Sequence, residues 1–273
     1  MLPWNCFIYL IFKLRKKMLS EIIEILILSI VQGITEFLPV SSSAHLNIVE
    51  ILFHYKSNSL IIDVALHFGS LLAIIFYFKK ELLSLRNNQK LYSLMIIGSI
   101  PVIIAGYTLS TTGLINLLED NLKIIAWTTL IFAIFLFFAD KKKIDKKISS
   151  NLNLKIMFYI GLFQILALIP GVSRAGITIT AARFFKFNRL DSSKISFLLA
   201  IPAITGASVL QLKNAIGQSF EINYLILMSI TLSFLFSYFT IKFFLEYINK
   251  FSLNIFVIYR IIISIILFVI IYS

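Results

Sequence analysis

Four side chains stand out because an apolar chain carries them in places where they are expensive: Gln32, Glu36, His45 and Arg174. Gln32 and Glu36 are four residues apart, so a helix puts them on one face, one turn from each other. A carboxylate inside an apolar stretch marks a functional site by default. Gln32 is the weaker case, since an intramembrane glutamine also serves as an interhelix hydrogen-bond former. Pro39 then breaks the pattern and Ser41, Ser42 and Ser43 follow. Any of these serines can N-cap a helix that begins at Ala44. His45, close behind, is the kind of base that turns a serine hydroxyl into a nucleophile. His54 and His67 lack such company and are expected to be structural, with Asp63 four residues before His67 as a pairing partner.

Arg174 follows a second break, Pro170-Gly171-Val172-Ser173, and opens a short apolar segment that contains Thr178. A helix start with free N–H groups, a serine and a guanidinium fork suits phosphate or carboxylate. If both breaks converge, Arg174 holds an anionic group while Glu36 or His45 activates a hydroxyl or water, which is phosphoryl-transfer chemistry. The same constellation equally suits the binding site of a transported anion. The residues alone leave these two readings open.

The elements that must position these groups are membrane elements. The chain has 273 residues, 59% hydrophobic and 14% charged, with a mean hydropathy of +0.93. Soluble domains carry roughly 25% charged residues, so an ordinary soluble domain and a disordered chain are both excluded. Six stretches have the length and composition of full spans: 60–79, 91–111, 121–139, 193–213, 222–245 and 253–272. Residues 21–38 and 154–169 run into the two breaks instead, and short apolar returns follow at 44–55 and 174–185. Such broken hairpins enter a membrane only where protein or a wet cavity covers the irregular backbone. Aligned on proline, Pro39-Val40-Ser41-Ser42-Ser43-Ala44 matches Pro170-Gly171-Val172-Ser173-Arg174-Ala175 at Pro, at the fourth position and at the sixth. Each break precedes three spans, which predicts two halves of inverted topology.

The expected fold is therefore an all-α integral membrane protein with six transmembrane helices and two re-entrant hairpins. Residues 1–17 read as an N-terminal extension, with Met18 as an alternative start, and 18–273 as one membrane domain. Within it the first repeat covers about 18–140, a basic linker about 141–153, and the second repeat about 154–273. The net charge of +12 is a topology signal. Lys79, Lys80, Arg86, Lys90, the run from Lys141 to Lys147, Arg183 to Lys194, Lys242 and Lys250 fall on one side, which the positive-inside rule makes cytoplasmic. Lys13, Arg15, Lys16 and Lys17 disagree with it. No nucleic-acid partner is expected. The single cysteine, Cys6, forms no internal disulfide, and with three histidines it excludes a Cys/His zinc site.

Residues 32–45, QGITEFLPVSSSAH, resemble the first signature of the undecaprenyl-diphosphate phosphatase family of the bacitracin-resistance type, with its [E/Q]-x-x-x-E and P-x-S-S-x-x-H elements. Residues 168–178, LIPGVSRAGIT, resemble its second signature, P-G-x-S-R-S-G-x-T. Residues 66–73 and 196–203 also match family segments, and the resemblance runs over about 18–273. It implies hydrolysis of a C55 isoprenoid diphosphate to the monophosphate, recycling the lipid carrier of cell-wall synthesis and conferring bacitracin resistance. A transporter or flippase of the polyprenyl phosphate carrier is the alternative. The resemblance further implies a bacterial cytoplasmic (inner) membrane protein whose site faces the outer, periplasmic side, and it leaves room for a homodimer. By position it makes Glu36 and Gln32 the element that activates the attacking group or holds a Mg2+ or Ca2+ ion. Ser42 falls on the nucleophile or phosphate-contacting serine, His45 on the acid/base and Arg174 on the diphosphate-binding arginine. Ser173, Thr178 and Ser41 fall on hydroxyl contacts to the phosphates. Two departures, Ala175 for the second serine of S-R-S-G and Ala44 for a small residue, remove no charged group.

Overall fold

The computed structural model describes residues 4–53, 60–83, 89–113, 121–144, 146–215 and 224–272. All regular structure among them is helical except for one isolated parallel bridge, Lys146 to Phe187. In chain order the helices are α1 (Trp4–Thr35), α2 (Ser42–Phe53), α3 (Leu60–Tyr77), α4 (Lys79–Leu83), α5 (Gln89–Thr111) and α6 (Leu122–Asp140), followed by α7 (Ile148–Asn151), α8 (Leu154–Ile165), α9 (Arg174–Phe184), α10 (Arg189–Ala215), α11 (Tyr224–Lys250) and α12 (Asn254–Tyr272). A 3-10 turn, Leu166–Leu168, extends α8.

Seven helices are long and apolar enough to cross a membrane, where the sequence predicts six. The chain is a multi-pass membrane protein. The additional candidate is Met18–Thr35 within α1. No proline interrupts residues 4–38, so one helix runs from Trp4 through the basic cluster at 13–17 to the edge of the Pro39 break. The short returns are α2 and α9, within a few residues of their expected bounds. His54 and Arg86 lie outside the described residues.

Local chemistry sets the helix ends. Asn121 and Asn153 cap α6 and α8, their side chains accepting from Ile124 N and Ile156 N, and Ser173 caps α9 by accepting from Gly176 N. Such caps satisfy donors that no intrahelical acceptor reaches.

α1, α3 and α11 run side by side in the same direction. Ile25 and Leu28, in the last third of α1, pack with Ile62, Leu66 and Ile226 near the starts of α3 and α11. Further along, Ser233 Oγ donates to Leu66 O at 2.6 Å, Ser70 and Ser233 hydroxyls meet at 3.0 Å, and Ser237 Oγ donates to Ser70 Oγ at 2.9 Å. Small residues draw these backbones close, and a Cβ at Gly69 would strike the Ile230 carbonyl of α11. α6 and α12 pack antiparallel. α2 leans on the start of α6 and the end of α12, where Ala44 and Ile48 meet Ile125, Leu122 and Leu267.

α9 ends at the opposite end of α6. There the buried Arg183 donates to the carbonyls of Phe187 (2.6 Å), Asp140 (2.7 Å) and Lys142 (2.9 Å). The Asp140 carboxylate lies 3.6 Å from Arg183 Nε, and it accepts from Arg189 Nε at 2.7 Å and from Leu253 N at 3.1 Å. Arg183, which the sequence places among loop charges, is thus a buried tie between the end of α9 and the end of α6, and Asp140 extends it to α10 and the residue before α12. Removing one partner of a buried ion pair costs about 3–5 kcal/mol. Asp140→Ala is therefore expected to lower stability by about that amount, measured as a fall in the thermal inactivation midpoint in detergent.

Candidate active site

The two breaks meet. The first turn follows α1, with Glu36 N donating to Gln32 O at 3.0 Å. Phe37 is fully buried and packs edge-on against Phe197 at 5.4 Å, which fixes the turn in the core. The second turn follows the 3-10 segment. Thr128 and Thr129 of α6 donate to its Pro170 and Gly171 carbonyls at 2.5 and 3.2 Å, and Gly171 N donates to Ser43 Oγ of the first turn at 3.4 Å.

Ser41 and Ser173 each stand immediately before their helix with φ of 77° and 70°. Left-handed backbone at a non-glycine residue costs of order 1–3 kcal/mol and collects at functional sites. This geometry changes the register that proline alignment predicts. Gly171 is an extra residue in the second turn, so Ser41 corresponds to Ser173 and Ser42 to Arg174.

Arg174 reaches across to the first turn. Its Nη2 donates to Glu36 Oε1 at 2.9 Å and to the Glu36 carbonyl at 3.4 Å, its Nη1 donates to Ser196 O at 3.3 Å, and the guanidinium lies over Phe37. Glu36 Oε2 accepts from Ser42 Oγ at 3.2 Å and from Gln32 Nε2 at 3.1 Å. Gln32 Nε2 also donates to His67 Nδ1 at 2.8 Å, and that nitrogen lies 3.8 Å from Glu36 Oε2. Glu36 occupies the turn outside the long apolar helices. Burial alone would raise its carboxyl, but the Arg174 charge, with hydrogen bonds from Arg174 and Ser42, holds it below the usual carboxylate range.

His45 is placed differently from its expected role as partner of a serine. Its Nδ1 lies 2.6 Å from Ser41 O, so it carries the proton there, and Nε2 accepts from the Tyr259 hydroxyl at 2.7 Å with the rings stacked. The base that the Ser42 hydroxyl faces is Glu36. Thr178 is fully buried and turned away, 2.8 Å from Arg174 O and 2.6 Å from Ser196 Oγ. It shapes the first turn of α9 and offers no free hydroxyl to a ligand. The Ser173 hydroxyl accepts from Gly176 N in the helix cap, while Ser41 and Ser43 hydroxyls face each other at 3.1 Å.

A family model described as bacitracin resistance protein BacA matches residues 25–266. The chain belongs to the BacA family. It is 82% identical to the undecaprenyl-diphosphatase of Pelagibacter ubique (strain HTCC1062), over 94% of this chain and all of that relative. It is 38% identical to the undecaprenyl-diphosphatase of Saccharophagus degradans, over 89% of this chain and 96% of the relative. It is 37% identical to undecaprenyl-diphosphatase 4 of Bacillus thuringiensis (strain Al Hakam), over 87% and 92%. The BacA match contains both turns and three residues that sequence reasoning missed or set aside: His67, Tyr259 and Arg260. Arg260 was signalled in principle, being the one charged residue between Asn254 and Tyr272 in an apolar helix. Tyr259 carries no such signal.

The metal that the family resemblance implies finds no resident cage. No three His, Cys, Asp or Glu side chains converge among the described residues. Among the described residues Glu36 is the carboxylate at the tips, and both its oxygens are engaged. A hard divalent ion prefers six or more oxygen ligands, so these residues fit it only as a companion of a diphosphate that brings its own oxygens. The Arg174 guanidinium, in contrast, is a fork of the kind that suits a phosphate. Inorganic diphosphate is expected to raise the melting temperature of the detergent-purified protein through preferential binding to the folded state, and Arg174→Ala is expected to abolish the rise, as followed by differential scanning fluorimetry.

Proposed function

We propose that this BacA-family chain hydrolyses undecaprenyl diphosphate to undecaprenyl phosphate and inorganic phosphate, the activity for which its curated relatives are named. The observation that carries this reading is the linkage Ser42–Glu36–Arg174, in which a hydroxyl, a carboxylate and a phosphate-binding fork share one contact. Before substrate arrives, Arg174 stabilises the Glu36 anion and makes it a weak base. A diphosphate competes for the guanidinium, for which phosphate is a bidentate partner. Glu36 then remains buried without its principal counter-charge, and its carboxyl rises. Proton affinity thus appears at the carboxylate only when the diphosphate is in place.

Ser42 Oγ attacks the terminal phosphorus and its proton passes to Glu36. The bond from that phosphorus to the bridging oxygen breaks, and undecaprenyl phosphate leaves with the electron pair and takes the proton from Glu36. Water then attacks the phosphoserine, its proton returns through Glu36 to Ser42 Oγ, and inorganic phosphate departs. The leaving group is a phosphate monoester with a second pKa near about 6, so it needs no strong general acid. His45 accordingly serves to hold the Ser41–Ser43 turn between the Ser41 carbonyl and Tyr259.

The proposed architecture is two inverted repeats, each a re-entrant hairpin followed by three spans. Helix bounds support it: α6 and α12 are both 19 residues long, and their starts, Leu122 and Asn254, stand in the same relation as Ser42 and Arg174. α2 and α9 head for opposite ends of the bundle. The basic loops are proposed to face the cytoplasm, so the α1–α2 hairpin opens to the periplasmic side of the inner membrane. A surface groove lined by Ile34, Leu38, Phe236, Phe239, Phe243 and Tyr247 begins beside the Glu36 turn and suits an isoprenoid tail.

Purified protein in detergent is expected to release phosphate from a polyprenyl diphosphate. Arg174→Ala is expected to lower kcat by about 100- to 1000-fold, the range for removing one donor to developing charge. A radiolabelled phosphoryl group should be trapped on Ser42, and on no residue of Ser42→Ala. No release by wild type, or undiminished release by Arg174→Ala, overturns the activity. Inversion of configuration at phosphorus overturns Ser42 as nucleophile.

A further inference from the structure

One fully buried charge among the described residues stands apart from every carboxylate. Arg260 is fully buried on α12, and among the described residues no carboxylate lies within 4 Å of it. Its Nε donates to Thr129 O at 3.2 Å and its Nη2 to Gly171 O at 3.0 Å, while Nη1 is buried without a hydrogen-bond partner. That third nitrogen lies against the first turn of α9. A Cβ at Gly176 would stand 2.8 Å from Nη1 and about as close to the Ser173 side chain, at 3.1 Å from its Cβ. The absence of a side chain at position 176 is what lets the guanidinium reach the helix start from behind.

Buried charges in proteins are paired or bind ions. Carbonyl acceptors satisfy two of the guanidinium groups without neutralising it, so a cost stands in the free protein. Arg183 shows the contrast, since it also binds three carbonyls but has Asp140 beside it. The group on which Arg260 acts is the Gly171 carbonyl, in the turn that aims Ser173 and Arg174 at the tip of the first hairpin. On the next residue, Tyr259 holds His45 of that first hairpin. Two consecutive residues of α12 thus grip both turns.

We propose that Arg260 is a positioning residue for the diphosphate site, fixing the Gly171 turn behind Arg174 and carrying a buried positive charge that is neutralised only when the anionic substrate binds. This rests on the diphosphate reading of the site and deepens it: charge balance at the tips, Arg174 with Glu36 and Arg260 alone, leaves one positive charge for the ligand. The proposal separates Arg260 from a scaffold arginine, because removing a scaffold cation weakens the free protein, whereas removing an uncompensated one does not.

The test measures inorganic diphosphate affinity and the melting temperature without anion for wild type, Arg260→Met and Arg260→Gln in detergent. Glutamine keeps donors for the carbonyls and removes only the charge. The expected result for both variants is a Kd for diphosphate at least about tenfold weaker, because the positive charge behind the site is gone, with a melting temperature equal to or above that of wild type. Unchanged affinity, or a lowered melting temperature without anion, overturns the proposal and makes Arg260 a scaffold residue. If Arg260→Met yields no folded protein, Arg260→Gln decides by the same two measurements. Wild type that binds no diphosphate and releases no phosphate overturns the function itself. Wild type that does both, beside variants that bind diphosphate equally well, overturns only the role of Arg260.

Discussion

A guanidinium and a carboxylate meeting in an apolar bundle is the constraint around which the rest of the molecule is arranged. Neither Arg174 nor Glu36 is tolerable alone when buried among apolar side chains, and each stands at a turn with backbone groups to satisfy. The turns are therefore tied from every side. Thr128, Thr129 and Arg260 take the carbonyls of the second, Ser43 accepts from it, and His45 and Phe37 secure the first. The two φ-positive serines persist because these ties over-determine the backbone. Strain and charge are concentrated at one point, and the surrounding apolar helices supply the packing that holds it.

This arrangement gives the ion pair a double function. In the free protein it neutralises both partners. In the proposed reaction it is the element that substrate disrupts, so the same contact that stabilises the empty site withholds its base until a diphosphate is present. Such coupling protects the site, because a serine activated without substrate would be open to side reactions.

Much of this was legible in the sequence, for a physical reason. In a chain that is 14% charged, a carboxylate or guanidinium within an apolar stretch is conspicuous, and Glu36, Gln32, Ser42 and Arg174 do converge. What was not legible depends on pairing between distant segments. His67 looked structural because its partner, Gln32, is 35 residues away. Tyr259 is an ordinary aromatic residue until α2 is packed against α12. Thr178 matched a motif, yet its hydroxyl is used inside the bundle. Arg183 sat among loop lysines in the sequence and is buried in the fold. Residue type identifies what is costly to place in an apolar setting, and only the packing tells which neighbour offsets the cost.

The seam between α3 and α11 has a consequence for how the molecule comes into being. Its hydroxyls belong to helices separated by about 150 residues of chain, which ribosomes need roughly 8–30 s to synthesise. α3 must therefore reside in the membrane well before α11 exists, with the glycine and serine of its contact face lacking their final neighbours. Ser70 has a provision for the wait, because its hydroxyl also donates to Leu66 O one turn back, at 3.3 Å. The face that later binds Ser233 and Ser237 can stand in lipid with its donor satisfied. α1 awaits the same late helix, since Gly33 lies against Phe236, so the part of the molecule that carries Glu36 is completed by a segment about 200 residues further along the chain.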